Sequence, residues 1–158
     1  MLPLVLAVLI PAIAIFPPNK TCHASNNIAA VMEVADTAQK LTLDTGWEWG
    51  GLLYRVKSGN ICASIPVTAH DQTKFAIFTD LPKDAILVGM YHTHTGLTIN
   101  SHRFSGTDAL NMCLQNVTSF VISGDGVVLQ LVPNDAICGT FINEWYDGAW
   151  VGELKLIP

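Results

Sequence analysis

Val88-Gly89-Met90-Tyr91-His92-Thr93-His94 is an apolar run that ends in two histidines at positions i and i+2. On an extended strand successive side chains alternate between faces, so His92 and His94 project to the same side. That is how two neutral imidazoles converge on one metal ion. Taken alone, the pair reads more readily as one buried and one surface histidine, so the metal reading depends on what stands around it.

Downstream, after the ten-residue stretch Thr95 to Phe104, comes Ser105-Gly106-Thr107-Asp108, followed by Ala109, Leu110, Met112 and Leu114 at helical spacing. The pattern predicts a helix that starts after Phe104, with Ser105 and Asp108 one turn apart on one side. Two imidazoles and one carboxylate make three ligands and leave a fourth position for water, the arrangement of hydrolytic zinc. The same four residues also spell a capping box, in which Ser105 caps the helix and Asp108 lies in its first turn. Ser105 can serve both readings; Asp108 is expected to serve one or the other.

Upstream, Glu48 stands in Trp47-Glu48-Trp49-Gly50-Gly51-Leu52, a lone carboxylate within an apolar segment. Burial between tryptophans penalises its charged form and raises its pKa toward the range useful for a general base. Strand alternation also permits the bland arrangement, with the tryptophans turned inward and Glu48 in solvent. Gly50 and Gly51 suggest a bulge or a close approach of backbone.

Around these segments the chain reads as α+β, a mixed sheet flanked by helices. A helix is expected over 25–43, with Ser25 or Asn26 as its cap. Strands are expected over 47–56, 61–66, 75–78, 86–91, 117–123 and 127–132, with turns at Ser58-Gly59-Asn60 and Gly124-Asp125-Gly126. The final run from Asp135 to Pro158, with Trp145, Tyr146 and Trp150, is expected to finish the core.

The 158 residues suit one domain. Half are apolar and 13% are charged, against roughly 25% in an average soluble domain, which excludes a disordered chain. Eight Lys+Arg against 13 Asp+Glu, with no basic cluster, excludes nucleic acid as a natural partner. Residues 1–16 are apolar or proline, shorter than the ~20 residues of a bilayer-spanning helix. They suit an export signal cleaved after Ala24, which places the domain at 25–158 in the periplasm or outside the cell. The alternative is a retained apolar element packed on a cytoplasmic domain.

Cys22, Cys62, Cys113 and Cys138 show no Cys-x-x-Cys spacing, so neither a zinc ribbon nor a thioredoxin-type redox pair is expected. Cleavage after Ala24 leaves three thiols, enough for one disulfide and one free thiol. Cys62–Cys138 is one of three possible pairings, and burial as small apolar residues is the alternative for each.

Glu48, His92-Thr93-His94 and Ser105-Gly106-Thr107-Asp108, in this order and strand–loop–helix context, resemble the signature of the JAB/MPN (JAMM) metalloprotease superfamily. The glutamate followed by a glycine pair, the VGMYHTH strand end and the F-S-x-x-D helix start resemble a bacterial branch known from Rhs-type polymorphic toxins. The similarity covers roughly 28–132. Two departures stand out: the spacer between His94 and Ser105 is longer than usual in the family and carries His102, and Thr95 replaces the proline that commonly follows the second histidine.

The resemblance implies a cytidine-deaminase-like α/β/α sandwich. It implies Zn2+ on His92, His94 and Asp108, Glu48 taking a proton from the attacking water, and Ser105 steadying the oxyanion. The implied reaction is amide hydrolysis on a peptide, an isopeptide or a peptidoglycan stem peptide, by a secreted enzyme or toxin domain. The alternative is a metal-free MPN-like module that binds a partner protein. A nucleobase deaminase would need H-x-E and P-C-x-x-C, which are absent. A thiol hydrolase built on Cys62 or Cys113 has no local feature that marks an activated thiol.

Overall fold

The computed structural model describes residues 13–16, 22–70, 80–139 and 145–155. Helix α1 (Asn27–Thr45) begins where Asn26 accepts a hydrogen bond from the Ala29 N–H, so Asn26 rather than Ser25 is the cap. Strands β1 (Gly50–Arg55) and β2 (Ile61–Ala63) form a hairpin, and β3 (Ile86–Thr93) lies antiparallel to β1 on its other side. Strand β4 (Arg103–Phe104) leads into helix α2 (Gly106–Gln115), then strands β5 (Thr118–Ile122) and β6 (Val127–Leu131). Helix α3 (Asp135–Cys138) and strands β7 (Tyr146–Asp147) and β8 (Ala149–Glu153) close the chain. The expected strand at 75–78 lies outside the described residues.

The main sheet is mixed, in the order β2-β1-β3-β5-β6-β8, with β3 and β5 parallel and the other pairs antiparallel. A parallel pair cannot be joined by a tight turn, and α2 makes the crossover. The two expected turns form with Gly59 and Gly126 at positive φ, which glycine adopts without steric cost.

Strand alternation sorts the core into two layers. From β5, Phe120 and Ile122 pack with Ala30, Val31, Ala35 and Ala38 of α1, whereas Val121 packs with Ala109 and Met112 of α2. The helices therefore cover opposite faces. On β3, Tyr91 packs on the α1 side and Thr93 reaches Thr42 of α1, so His92 and His94 turn to the α2 side.

The C-terminal run completes the sheet, but not with its tryptophans: Trp145 and Trp150 are exposed, and Val151 and Leu154 reach the core instead. Strand β8 is the sheet's outer member, so a residue there can face solvent however apolar it is. Gly51 is a close approach rather than a bulge, since the register shift between β1 and β3 lies at Leu53/Tyr54. A Cβ on Gly51 would sit 2.6 Å from the buried Tyr91 hydroxyl, which donates to the Ser64 carbonyl. Gly51→Ala is therefore expected to destabilise the fold by about 1–3 kcal/mol, read as a lower urea midpoint at unchanged slope.

All four cysteines are paired, Cys22 with Cys62 and Cys113 with Cys138. The Cys62–Cys138 pairing does not form, and neither Cys62 nor Cys113 offers a thiolate while these bonds stand. Cys22 lies within the folded unit: next to it Ala24 is buried and bridges Ile61, while further upstream Ile15 bridges Ile65 and Phe16 meets Tyr54 edge-on. Cleavage after Ala24 would remove Cys22 and leave Cys62 unpaired. Intact mass of the native protein after export in a bacterial host is expected to show the deficit of two disulfides, with Cys22 retained. Disulfides of this kind persist in oxidising compartments. No helix among the described residues is long and apolar enough to cross a membrane.

Candidate metal centre

The centre lies where β3 ends and α2 begins. His92 and His94 come from the last turn of the pleat and from the residue just past it. Their Nε2 atoms are 3.1 Å apart. Asp108, in the first turn of α2, places Oδ1 3.4 Å from His92 Nε2 and Oδ2 4.0 Å from His94 Nε2. One ligand atom from each of the three residues lies within 4.8 Å of the others, a span that one cation can bridge. Three donors from imidazole and carboxylate suit zinc and several other divalent ions, so the donor set by itself does not select the metal.

The surroundings of the donors fit this use. His94 Nδ1 lies 2.9 Å from the Ser101 carbonyl, which accepts only from an Nδ1–H; the proton is thereby placed on Nδ1 and the Nε2 lone pair faces the cluster. Asp108 caps α2 and at the same time faces the two imidazoles. Its Oδ2 accepts from the Ser105 N–H at 2.8 Å, Ser105 Oγ accepts from the Asp108 N–H at 3.1 Å, and Oδ1 is turned to His92. A carboxylate has two oxygens with several lone pairs, so one oxygen can cap while the other ligates.

Electrostatics follow from crowding three titratable groups in little water. Burial works against a charged His92, but the carboxylates of Asp108 and Glu48 outweigh it and raise its pKa to about 9. Burial and the neighbouring His92 charge push His94 down to about 4. Asp108 is held well below the usual carboxylate range, because the His92 charge and the Ser105 hydrogen bonds overcome the cost of its burial. Without a metal, then, His92 carries the positive charge beside the Asp108 carboxylate and His94 stays neutral.

Glu48 is buried, 7% exposed, two residues before β1 rather than inside a strand, and its charge acts on His92. The solvent-facing alternative for Glu48 is thereby overturned. Trp47 stacks on His70 with ring centroids 4.5 Å apart, and Trp49 Nε1 donates to Thr45 Oγ1 at 3.0 Å. Ser105 stands at the helix cap, its N–H and its side chain both hydrogen-bonded to Asp108.

The long loop after His94 is tied down from two sides. The Gly124 N–H donates to the Gly96 carbonyl at 3.0 Å, and His102 Nε2 sits 2.9 Å from Asp125 Oδ2 in the β5–β6 turn. His102 is thus a loop anchor, outside the three-residue cluster. The Ser101 carbonyl is the functional group that sequence reasoning missed; a backbone oxygen leaves no residue-type signal.

Compared with protein-family models and with curated proteins, the chain matches none.

Proposed function

We propose that this chain is a zinc-dependent amide hydrolase of the JAB/MPN type, with a cytidine-deaminase-like fold, acting on peptides, isopeptides or peptidoglycan stem peptides outside the cytoplasm. The observation that carries the reading is the convergence of His92, His94 and Asp108, from two separate elements, beside a buried glutamate. His92, His94 and Asp108 would hold the ion, which when bound lowers the pKa of its water toward ~7 and polarises the scissile carbonyl.

The rest of the chemistry falls to the protein. Glu48, out of bulk water and facing a cationic site, accepts the proton of the attacking water and delivers it to the leaving amine. Ser105, beside Asp108 at the start of α2, hydrogen-bonds the oxygen that becomes negative as the carbonyl turns tetrahedral. The Ser101 carbonyl keeps the His94 ring in place. The two disulfides support an exported location.

The test is zinc stoichiometry of the purified chain together with mass-spectrometric scoring of a peptide, isopeptide and muropeptide panel. About one zinc per chain with cleavage of one substrate class is the expected result. Protein that refuses zinc would instead favour the metal-free partner-binding module.

A further inference from the structure

Glu48 must be aimed, and the sheet does not aim it. It precedes β1, where no regular ladder holds its backbone, and its neighbours on both sides are large aromatic residues. The peptide group that joins Glu48 to Trp49 is instead gripped at its two ends by hydroxyls. Thr68 Oγ1 donates to the Glu48 carbonyl at 2.7 Å, and the Trp49 N–H donates to Thr93 Oγ1 at 2.9 Å.

Both threonines are themselves fixed. Thr68 follows Val67, which exchanges two backbone hydrogen bonds with Gly50 at 2.9 and 3.0 Å, and its hydroxyl also accepts from the His70 N–H at 3.0 Å. Thr93 is fully buried, its N–H donates to the Trp49 carbonyl at 2.7 Å, and its hydroxyl shares a 2.5 Å hydrogen bond with Thr42 of α1. Since Thr93 lies between the two histidines on β3, its hydroxyl ties the glutamate's backbone to the same strand that presents the imidazoles, from the opposite face. A buried peptide group must be paired in any case, and pairing it to side chains of two different segments fixes its plane as well as its position.

We infer that Thr68 and Thr93 are positioning residues that clamp the Glu48–Trp49 peptide group and so set the Glu48 carboxylate against the His92, His94 and Asp108 cluster. The inference rests on the proposed role of Glu48 as proton acceptor. A misplacement of about 1 Å at a reacting group costs up to about 100-fold in rate.

The variants are Thr68→Val and Thr93→Val, which remove the hydroxyl at nearly constant shape, and Thr68→Ser and Thr93→Ser, which keep it. Thr68 is only partly buried, so its valine variant serves if Thr93→Val fails to fold. In zinc-loaded protein the valine variants are expected to lose about 10- to 100-fold in kcat with KM and zinc stoichiometry unchanged, and the serine variants to recover it. Two readouts need no turnover: the Glu48 13Cδ resonance, expected to move on zinc loading in wild type and the serine variants but not in the valine variants, and the exchange rate of the Trp49 amide, expected to rise in Thr93→Val.

Valine variants with wild-type kcat and an unchanged Glu48 response overturn the inference. So does loss of zinc or of folding by Thr68→Val, which would make the threonine merely structural. A wild-type chain that binds zinc and shifts Glu48 yet cleaves nothing counts against the hydrolase reading and leaves the clamp standing.

Discussion

Glu48→Gln is expected to lower kcat of the zinc-loaded protein by about 10²- to 10⁴-fold while zinc stoichiometry and the unfolding midpoint stay near wild type. The amide keeps the size of the carboxylate and the backbone pairing of residue 48, whose carbonyl still receives the Thr68 hydroxyl. What it loses is the capacity to take a proton. Because Glu48 stands outside the three-residue cluster, its exchange leaves every donor to the ion in place. Steady-state kinetics alongside metal analysis read the two effects separately. An amide variant that turns over at the wild-type rate would remove Glu48 from the mechanism.

Removing a cluster donor is expected to act on the metal first. His94→Ala and Asp108→Ala should each weaken zinc binding by more than about 100-fold, beyond what loss of an outer partner costs. Asp108→Asn separates the two duties of that side chain. Its amide oxygen can still accept from the Ser105 N–H and keep the cap, whereas the alanine variant loses cap and ligand together. The asparagine variant is therefore expected to unfold near wild type with weakened zinc binding, and the alanine variant to lose about 1 kcal/mol of stability as well. Competition with a chelator gives the affinity and thermal unfolding gives the stability.

The same cluster sets a pH dependence whose sign is fixed. In the metal-free chain His92 carries its proton up to about pH 9, and zinc needs the neutral ring. Apparent zinc affinity is expected to rise about tenfold per pH unit up to about 9 and then level off, with one proton released per ion at neutral pH. For folding without metal the direction is opposite. A histidine raised above its unfolded value stabilises fully below about 6.5 and loses that contribution as pH rises through about 9. Calorimetry in buffers of different ionisation enthalpy counts the proton. A zinc isotherm independent of pH between 6 and 8 would refute a protonated His92 in the metal-free chain.

Much of the site was legible because its residues obey local periodicities. A strand repeats every two residues, so His92 and His94 had to share a face; a helix start brings positions three apart together, so Ser105 and Asp108 had to meet. The capping box at Ser105 does not turn Asp108 away from the imidazoles, because a carboxylate has two oxygens: Oδ2 accepts from the Ser105 N–H while Oδ1 faces His92. The tryptophans misled: apolar character predicts burial on average, while Trp150 lies on the outer strand β8 and Trp145 just before the short strand β7, and both face solvent.

What the amino-acid order determined by itself is the set of short-range relations: helix caps, turns, the shared face of the two histidines and the α+β class, all consequences of backbone geometry over a few residues. Only the tertiary structure decided which distant groups meet: Cys22 with Cys62, His102 with Asp125, the Ser101 carbonyl with His94, and the hydroxyls of Thr68 and Thr93 with the peptide group beside Glu48. These pairings join segments whose relative placement depends on how the sheet orders its strands and which face each helix covers. No local pattern encodes that placement, because it is set by the burial of the whole core.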